Sequence, residues 1–244
     1  MLRIILMFIT NFYKLPYLFV KFFRMSHTDK HDRFERYAFL HRFTPGANKG
    51  GRIKVVCTGL ENLPKEDGYI IFPNHQGMFD VMSLIEMIDR PFSVVTKKET
   101  RKVPLLGRLM RILDAEFIDR EDIRQSLTII NNVAERVKNG ENFVIFAEGT
   151  RSKNGNEIGP FKGGTFKSAT MAKCPIVPIA LIDSFLPFDR RSLKKVTVYV
   201  HVFKPLCYED YKDMKSTQIA ELVHDTIRDY IHEELAKRES EPKA

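Results

Sequence analysis

The fold is decided by residues 69–88, which read YIIFPNHQGMFDVMSLIEMI. An apolar run, a short polar turn and a segment with helical spacing predict a strand, a tight turn and a helix. A step of five residues, as from His75 to Asp80, turns a side chain roughly 140° on a helix, so the two meet only if His75 lies in the turn. A carboxylate held against one ring nitrogen leaves the other free to take a proton. This His-x4-Asp pattern is therefore typical of a general base.

A structural interpretation of the same two residues stays open at this point. The chain has seven histidines, and a histidine before a helix often caps it or lies satisfied at the surface. Aspartate is favoured in a first helical turn by the helix dipole alone. Catalysis therefore needs support from the rest of the chain.

Composition limits the class of protein. With 244 residues and 43% hydrophobic residues, the chain is long enough for a globular fold. A net charge of +8 indicates an anionic partner, which can be nucleic acid, a membrane surface or a phosphorylated substrate. Cys57, Cys174 and Cys207 have no metal-ligand spacing. We expect all three to be packing residues in a reducing compartment, and no metal site.

The amino-terminal segment carries the strongest membrane signal. Its longest uncharged run, residues 4–13, has 10 residues, and a helical span needs about 20. At 100° per residue, Arg3, Lys14, Lys21 and Arg24 fall within about 80° of one another, opposite an apolar face. This pattern favours helices that lie flat in the headgroup layer, interrupted at Pro16. A helix buried in the core and a single membrane span are the alternatives.

The remaining sequence alternates strands with helices, which predicts an α/β fold with a largely parallel central sheet flanked by helices. We divide the chain into membrane-associating helices at 1–45 and an α/β domain at 46–244. A helix is expected to end at Pro45 and Gly46, Val196–Val202 to form an outer strand, and residues 217–235 to form a last helix before a frayed tail at 237–244. Turns at His75, Arg120 and 148–151 each follow a predicted strand. Parallel topology would bring them to one sheet edge.

Four segments, at 74–80, 117–120, 146–152 and 176–179, resemble the ordered blocks of the glycerolipid acyltransferases, among them the 1-acylglycerol-3-phosphate acyltransferases. The resemblance covers roughly residues 50–205. The family often has Ser where Gly77 stands and Pro where Ala147 stands. Neither position supplies the chemistry, so these departures concern the acceptor more than the reaction.

The resemblance implies that His75 takes the proton of an acceptor hydroxyl and that Asp80 orients it, without an acyl-enzyme. The chain agrees, since it has no G-x-S-x-G elbow. Arg120 and Arg151 fit the phosphate of the acceptor, because a guanidinium group matches phosphate oxygens. Glu148 and Arg151 belong to the acceptor-binding block of the family, and a salt bridge between the two is a compatible alternative. The residues assigned to substrate binding are Glu148, Gly149, Thr150, Arg151, Arg120, Lys98 and Lys162. The implied substrates are lysophosphatidic acid and acyl-CoA or acyl carrier protein, with no other cofactor.

Two other functions remain. The same chemistry can use glycerol 3-phosphate or another lysolipid, and the motifs barely separate these acceptors. A non-catalytic basic protein bound to an anionic membrane explains the charge but gives no reason for His75 and Asp80. Nucleic acid is disfavoured because the aromatic-rich segment is too apolar for it. We expect a peripheral or monotopic protein at the cytoplasmic face of the cell membrane.

Overall fold

The computed structural model describes residues 2–240. The strands are β1 (Ile53–Thr58), β2 (Ile70–Pro73), β3 (Phe92–Lys97), β4 (Glu116–Ile118), β5 (Asn142–Val144), β6 (Ile176–Ile182) and β7 (Val196–Val202). The helices are α1 (Leu2–Thr10), α2 (Leu15–Met25), α3 (Arg33–Gly50), α4 (Asp80–Met87), α5 (Leu106–Ile112), α6 (Ile123–Lys138), α7 (Gly163–Ala172), α8 (Leu186–Asp189), α9 (Tyr208–Tyr211) and α10 (Ser216–Ser240).

The strands form one sheet in the order β1-β7-β6-β2-β5-β3-β4. Neighbours run parallel except β6 and β7, which are antiparallel. This confirms the predicted α/β class. The prediction that β7 is an outer strand is wrong. Every residue of β1 pairs with β7, so β1 forms the edge of the sheet and β7 lies inside it. The alternating pattern of β7 instead reflects partial cover on one face, where Arg238 of α10 lies 3.7 Å from the ring of Tyr199.

Helices cover both faces of the sheet, and strand β2 shows why. Its side chains alternate between two cores: Ile71 packs with residues of α3, α4 and α5, whereas Ile70 and Phe72 pack with residues of α6, α7 and α10. All three are fully buried. A continuous apolar run is therefore required here, as in other parallel strands covered on both sides. The polar loops that follow the parallel strands emerge at their shared carboxyl edge.

Helix α3 does not end at Pro45 and Gly46 as predicted; it continues to Gly50 with Pro45 inside it. Proline removes only one hydrogen bond from the helix. The residues beyond it are held by packing, since Asn48 is buried and donates to the carboxylate of Glu86 on α4. The division at residues 45 and 46 therefore passes through a continuous helix.

The last helix is longer than predicted. Helix α10 extends to Ser240, so residues 237–240 of the predicted frayed tail are helical. Arg238 holds this end by packing on Tyr199 and donating to Asp183. Residues 241–244 lie outside the described part of the chain.

The cysteines follow the prediction only in part. Cys174 is buried and Cys57 is half-buried, and burial raises the pKa of Cys57 to about 11 and that of Cys174 to about 12. Cys207 is exposed and lies at the start of α9, so it is not a packing residue. Within residues 2–240, no cluster of three or more His, Cys, Asp or Glu side chains is arranged to hold a metal ion.

Helices α1 and α2 are bent by 69° at a break near residue 11. In the described residues, no single helix has the length and apolar content of a membrane span, although this bent pair does when taken together. Their outward surface is mostly apolar, with Lys14 and Arg24 as exposed cations. The exposed large apolar side chains of this segment are Leu2, Ile5, Phe8, Ile9, Phe12, Tyr13, Tyr17, Phe19 and Val20.

Arg3 does not belong to the predicted basic strip, because its side chain points into the protein and is only 1% exposed. Its guanidinium donates to the carbonyl oxygens of Pro187 (3.2 Å), Gly51 (2.8 Å), Ser192 (2.7 Å) and Lys194 (2.9 Å). These carbonyls lie in α8, at the end of α3 and in the segment before β7, all distant from Arg3 in sequence. Arg3 therefore ties α1 to the α/β domain.

Replacing Arg3 should destabilise the protein. In Arg3→Ala, buried carbonyl groups lose a charged donor, so the free energy of unfolding should fall by about 2–4 kcal/mol in urea denaturation. Arg24→Ala, which removes an exposed cation of α2, is the control and should change it by less than about 0.5 kcal/mol. Equal stability of the two variants would contradict a tethering role for Arg3.

Candidate active site

The loop after β2 is anchored by Asn74. Its side chain is fully buried, donates to the carbonyl of Leu181 (3.0 Å) and accepts from the amide of the same residue (2.7 Å). The amide side chain thus bonds to β6 as a strand residue would. Because this bond replaces the sheet ladder, the backbone can leave β2 at Asn74 without exposing unpaired groups.

His75 and Asp80 are in contact: the ring Nδ1 lies 2.7 Å from Oδ2 of Asp80. Asp80 is fully buried at the start of α4, and the same oxygen accepts the amide N–H groups of Gln76 (2.7 Å) and Gly77 (3.0 Å). A carboxylate that accepts these bonds requires Nδ1 to donate as well, so the lone pair of the imidazole lies on Nε2. The ring stacks on Phe146 at 4.2 Å between centroids and keeps 21% of its side chain exposed.

Glu148 lies beyond β5 and holds the backbone of the histidine loop. Its Oε1 accepts the amide of His75 (2.6 Å) and its Oε2 accepts the amide of Gly159 (2.8 Å). Burial raises the pKa of this carboxyl, and the two backbone N–H groups oppose that shift. The predicted alternative, an ion pair between Glu148 and Arg151, is wrong: Glu148 bonds to two backbone amides, and Arg151 pairs with Asp189 instead. A further bond joins the loops, from the Ser152 amide to the His75 carbonyl (2.7 Å).

Two predicted substrate-binding cations lie beside these loops. Arg151 is exposed and makes a long ion pair, 3.9 Å, with Asp189. Asp189 in turn packs against Gly77, where an added Cβ would lie 2.9 Å from its carboxylate. Lys162 packs over Gly149, where the chain turns with a φ of +74°. A Cβ added at Gly149 would lie only 2.9 Å from Nζ of Lys162, so a side chain there would collide with the lysine. Both cations are free to reorient because neither is buried.

The other predicted residues lie farther away. Lys98 forms an ion pair with Asp119 at the outer end of the sheet, and exposed Arg120 follows in the same loop. This loop leaves β4, three strand spacings from β2, which corresponds to roughly 14 Å. Thr150 is exposed between Gly149 and Arg151. Parallel topology thus brings all these turns to one edge, but of the three predicted turns only those after β2 and β5 are in contact at His75.

The strands and loops that build this site lie in a region whose sequence matches a known protein family. Residues 54–182, from β1 to the end of β6, match the family model described as Acyltransferase. The chain belongs to the acyltransferase family. The match includes His75, Asp80 and Glu148, so the loops described above all lie within the acyltransferase region.

Curated relatives extend the comparison. The chain is 31% identical over 185 residues to a 1-acyl-sn-glycerol-3-phosphate acyltransferase of Saccharomyces cerevisiae, which covers 74% of this chain and 60% of the relative. A protein of the same name from Borreliella burgdorferi is 25% identical over 72% of this chain and 70% of its own length. A third, from Cocos nucifera, is 31% identical, and the chain spans only 53% of its length.

A solved structure supports the fold. The crystal structure of the 1-acyl-sn-glycerophosphate acyltransferase PlsC from Thermotoga maritima aligns with a TM-score of 0.76 over 100% of this chain and 97% of that chain. The identity is 20%. The likeness covers the amino-terminal helices as well as the sheet.

The structure explains one departure of this chain from the family pattern. A serine at position 77 would place its Cβ 3.3 Å from the Cα of Phe185 and 3.4 Å from the Ser184 carbonyl, besides its contact with Asp189. Glycine fits because the backbone of Ser184 and Phe185 comes unusually close.

The sequence interpretation did not assign a role to Gln76 or Asn156. The sequence features that could have indicated them are the position of Gln76 next to His75 and that of Asn156 in the glycine-rich loop after residues 148–152.

Glu148 can be tested through stability. In Glu148→Gln, the amide can accept only one backbone N–H and turns its NH₂ group toward the other, so the free energy of unfolding should fall by about 1–3 kcal/mol. Glu157→Gln, in the same loop but exposed and paired with His232 at 3.7 Å, should cost less than about 1 kcal/mol. Urea denaturation measures both. If the two variants are equally stable, the Glu148 bonds do not hold these loops.

Proposed function

We propose that the protein transfers a fatty acyl chain from an acyl thioester to the free sn-2 hydroxyl of 1-acylglycerol 3-phosphate, giving phosphatidic acid. The observation that carries the proposal is the arrangement of His75, whose Nδ1 is bonded to buried Asp80. No described residue bonds to Nε2. The names of the curated relatives support this acceptor. The chain spans little more than half of two of these relatives, so acceptor and donor both belong to the proposal.

The reaction follows from the lone pair on Nε2. Nε2 of His75 takes the proton of the acceptor hydroxyl while its oxygen attacks the thioester carbonyl carbon. The positive charge that forms on the imidazole is stabilised by the Asp80 carboxylate at Nδ1. When the tetrahedral intermediate collapses, the C–S bond breaks and the thiolate takes the proton from Nε2. An ester and a free thiol result, without a covalent enzyme intermediate.

In this proposal, Arg151 and Lys162 bind the phosphate of the acceptor. Both are exposed cations beside the loop that carries His75, and a guanidinium or ammonium group binds phosphate by charge-assisted hydrogen bonds. Glu148 acts on the backbone of His75 rather than on the acceptor. Lys98 and Arg120, farther along the sheet edge, suit the phosphates of the acyl donor. The donor is acyl-CoA or acyl carrier protein, and no further cofactor is required.

Loss of the His75 side chain should remove the activity. Purified protein incubated with lysophosphatidic acid and labelled acyl-CoA or acyl carrier protein should form phosphatidic acid, and His75→Ala should lower kcat by about 100-fold or more. His224→Ala is the matched control, because His224 also contacts an aspartate, Asp225 at 2.8 Å, but lies on α10. No product from the wild type contradicts the proposed function, and an active His75→Ala variant contradicts the mechanism.

We also propose that the protein lies at the cytoplasmic face of the cell membrane as a peripheral or monotopic protein. The exposed apolar surface of α1 and α2 supports this, since such a patch rarely remains in water. A basic segment adjoins it: residues 97–112 contain six Lys or Arg residues and one Glu. The guanidinium of Arg108 in this segment lies 4.1 Å from the ring of Phe23 on α2. Cations beside an apolar face favour an anionic leaflet.

Membrane association can be tested without disturbing the fold. Changing Ile9, Phe12 and Val20 together to Ser removes three exposed apolar side chains and should weaken binding to phosphatidylglycerol vesicles by about 100-fold or more. The control changes Met171, Met214 and Leu222 to Ser, which are exposed elsewhere, and should bind as the wild type does. Co-sedimentation measures both. Undiminished binding of the first variant would contradict anchoring by α1 and α2.

A further inference from the structure

Gln76, the residue after His75, is bonded through its backbone N–H and through both ends of its side-chain amide, although it belongs to a short loop. It is 1% exposed, and its backbone N–H donates to Oδ2 of Asp80, the oxygen that also receives His75. Its side-chain Nε2 donates to Oδ1 of Asn156 (2.8 Å), and its Oε1 accepts the amide of Ser184 (2.7 Å). The side chain therefore fixes one end of the backbone that holds the histidine.

Asn156 joins Gln76 to Asp183. Its Oδ1 accepts the backbone amide of Asp183 (2.8 Å), and its Nδ2 donates to the Asp183 carboxylate (3.0 Å). A backbone N–H can only donate and a carboxylate can only accept, so the orientation of the Asn156 amide is determined. The same orientation requires Gln76 to present its NH₂ group, which agrees with the Ser184 bond. Every member of this network is thus consistent with the others.

The network ends at the last helix. Asp183 has a positive φ of 64°, and its second carboxylate oxygen accepts from Arg238 near the end of α10 (3.2 Å). Arg238 is itself held by its packing on Tyr199. Hydrogen bonds therefore link Arg238 of α10 through Asp183 and Asn156 to the side chain of Gln76, and the backbone N–H of the same Gln76 bonds to the Asp80 oxygen shared with His75.

We propose that Asn156, Asp183 and Arg238 are positioning residues for acyl transfer, an inference that rests on the proposed function of His75. None of the three bonds to His75 itself. They hold Gln76, whose backbone N–H fixes Oδ2 of Asp80 and hence the direction of the imidazole. Misplacement of a reacting group by about 1 Å can cost 100-fold in rate, so the network affects turnover more than acceptor binding.

The decisive variant is Asn156→Ala. It removes the side chain that bonds to both Gln76 and Asp183, and so disconnects the two. We expect kcat to fall by about 10- to 100-fold while KM changes by less than about threefold. Asn154→Ala is the matched control: it is the same residue type in the same loop, and its side chain makes no hydrogen bond with any residue from 2 to 240. Its kcat should equal that of the wild type.

A second variant separates positioning from general stability. Arg238→Gln changes a partly exposed residue at the far end of the network, so the protein should fold and kcat should fall by a smaller factor. Combining it with Asn156→Ala should add nothing further, because Asn156→Ala already disconnects the chain. Additive losses, or a kcat within twofold of the wild type in Asn156→Ala, would overturn the inference.

The ring nitrogens of His75 give a readout that does not depend on activity. In ¹⁵N spectra, Asn156→Ala should shift the Nδ1 and Nε2 resonances of His75, which report its tautomer and hydrogen bond, and Asn154→Ala should not. If the wild type made no phosphatidic acid, the proposed function would fail while these shifts would still decide whether the network positions the ring. Unchanged resonances in Asn156→Ala would overturn the positioning role.

Discussion

A buried carboxylate determines the shape of the site. Asp80 is fully removed from solvent, and a carboxylate in that position is tolerated only when several donors surround it. The amides of Gln76 and Gly77 and the Nδ1 of His75 supply those donors. Since all of them lie in the five residues before Asp80, the chain must curl around the carboxylate. The direction of the imidazole therefore follows from the need to surround the buried Asp80 carboxylate with hydrogen-bond donors.

Sheet topology supplies the second half of the arrangement. Strands β2 and β5 are parallel neighbours, so their following loops emerge side by side. Because the two loops are neighbours, Glu148 can accept a hydrogen bond from the backbone amide of His75. Asn74 fixes the loop to β6 on the other flank. The histidine loop is thus bonded to strand β6 on one side and to the loop after β5 on the other, although it contains no regular structure itself.

The sequence predicts local features well because they depend on nearby residues. The bounds of β1 and β7 follow from alternation and turn residues, and the contact of His75 with Asp80 follows from their spacing. Features set by distant partners are not predicted. Helix α3 continues past Pro45 because the residues that follow, among them Asn48, pack against α4. Arg3 is buried because four carbonyl groups distant in sequence accept hydrogen bonds from it. Ile123 keeps the helical period of α6 yet is 76% exposed.

Glu148 belongs with those distant effects. A glutamate three residues before an arginine suggests an ion pair, and only the parallel pairing of β2 with β5 reveals that backbone amides take both oxygens. The charges of the protein thereby separate into two kinds. Arg3, Asp80 and Glu148 are buried and bonded to backbone, so they fix geometry. Arg120, Arg151 and Lys162 are exposed at the same sheet edge. Because their positions are not constrained by the fold, these side chains can reorient without moving the histidine, as the proposed binding of phosphate groups requires.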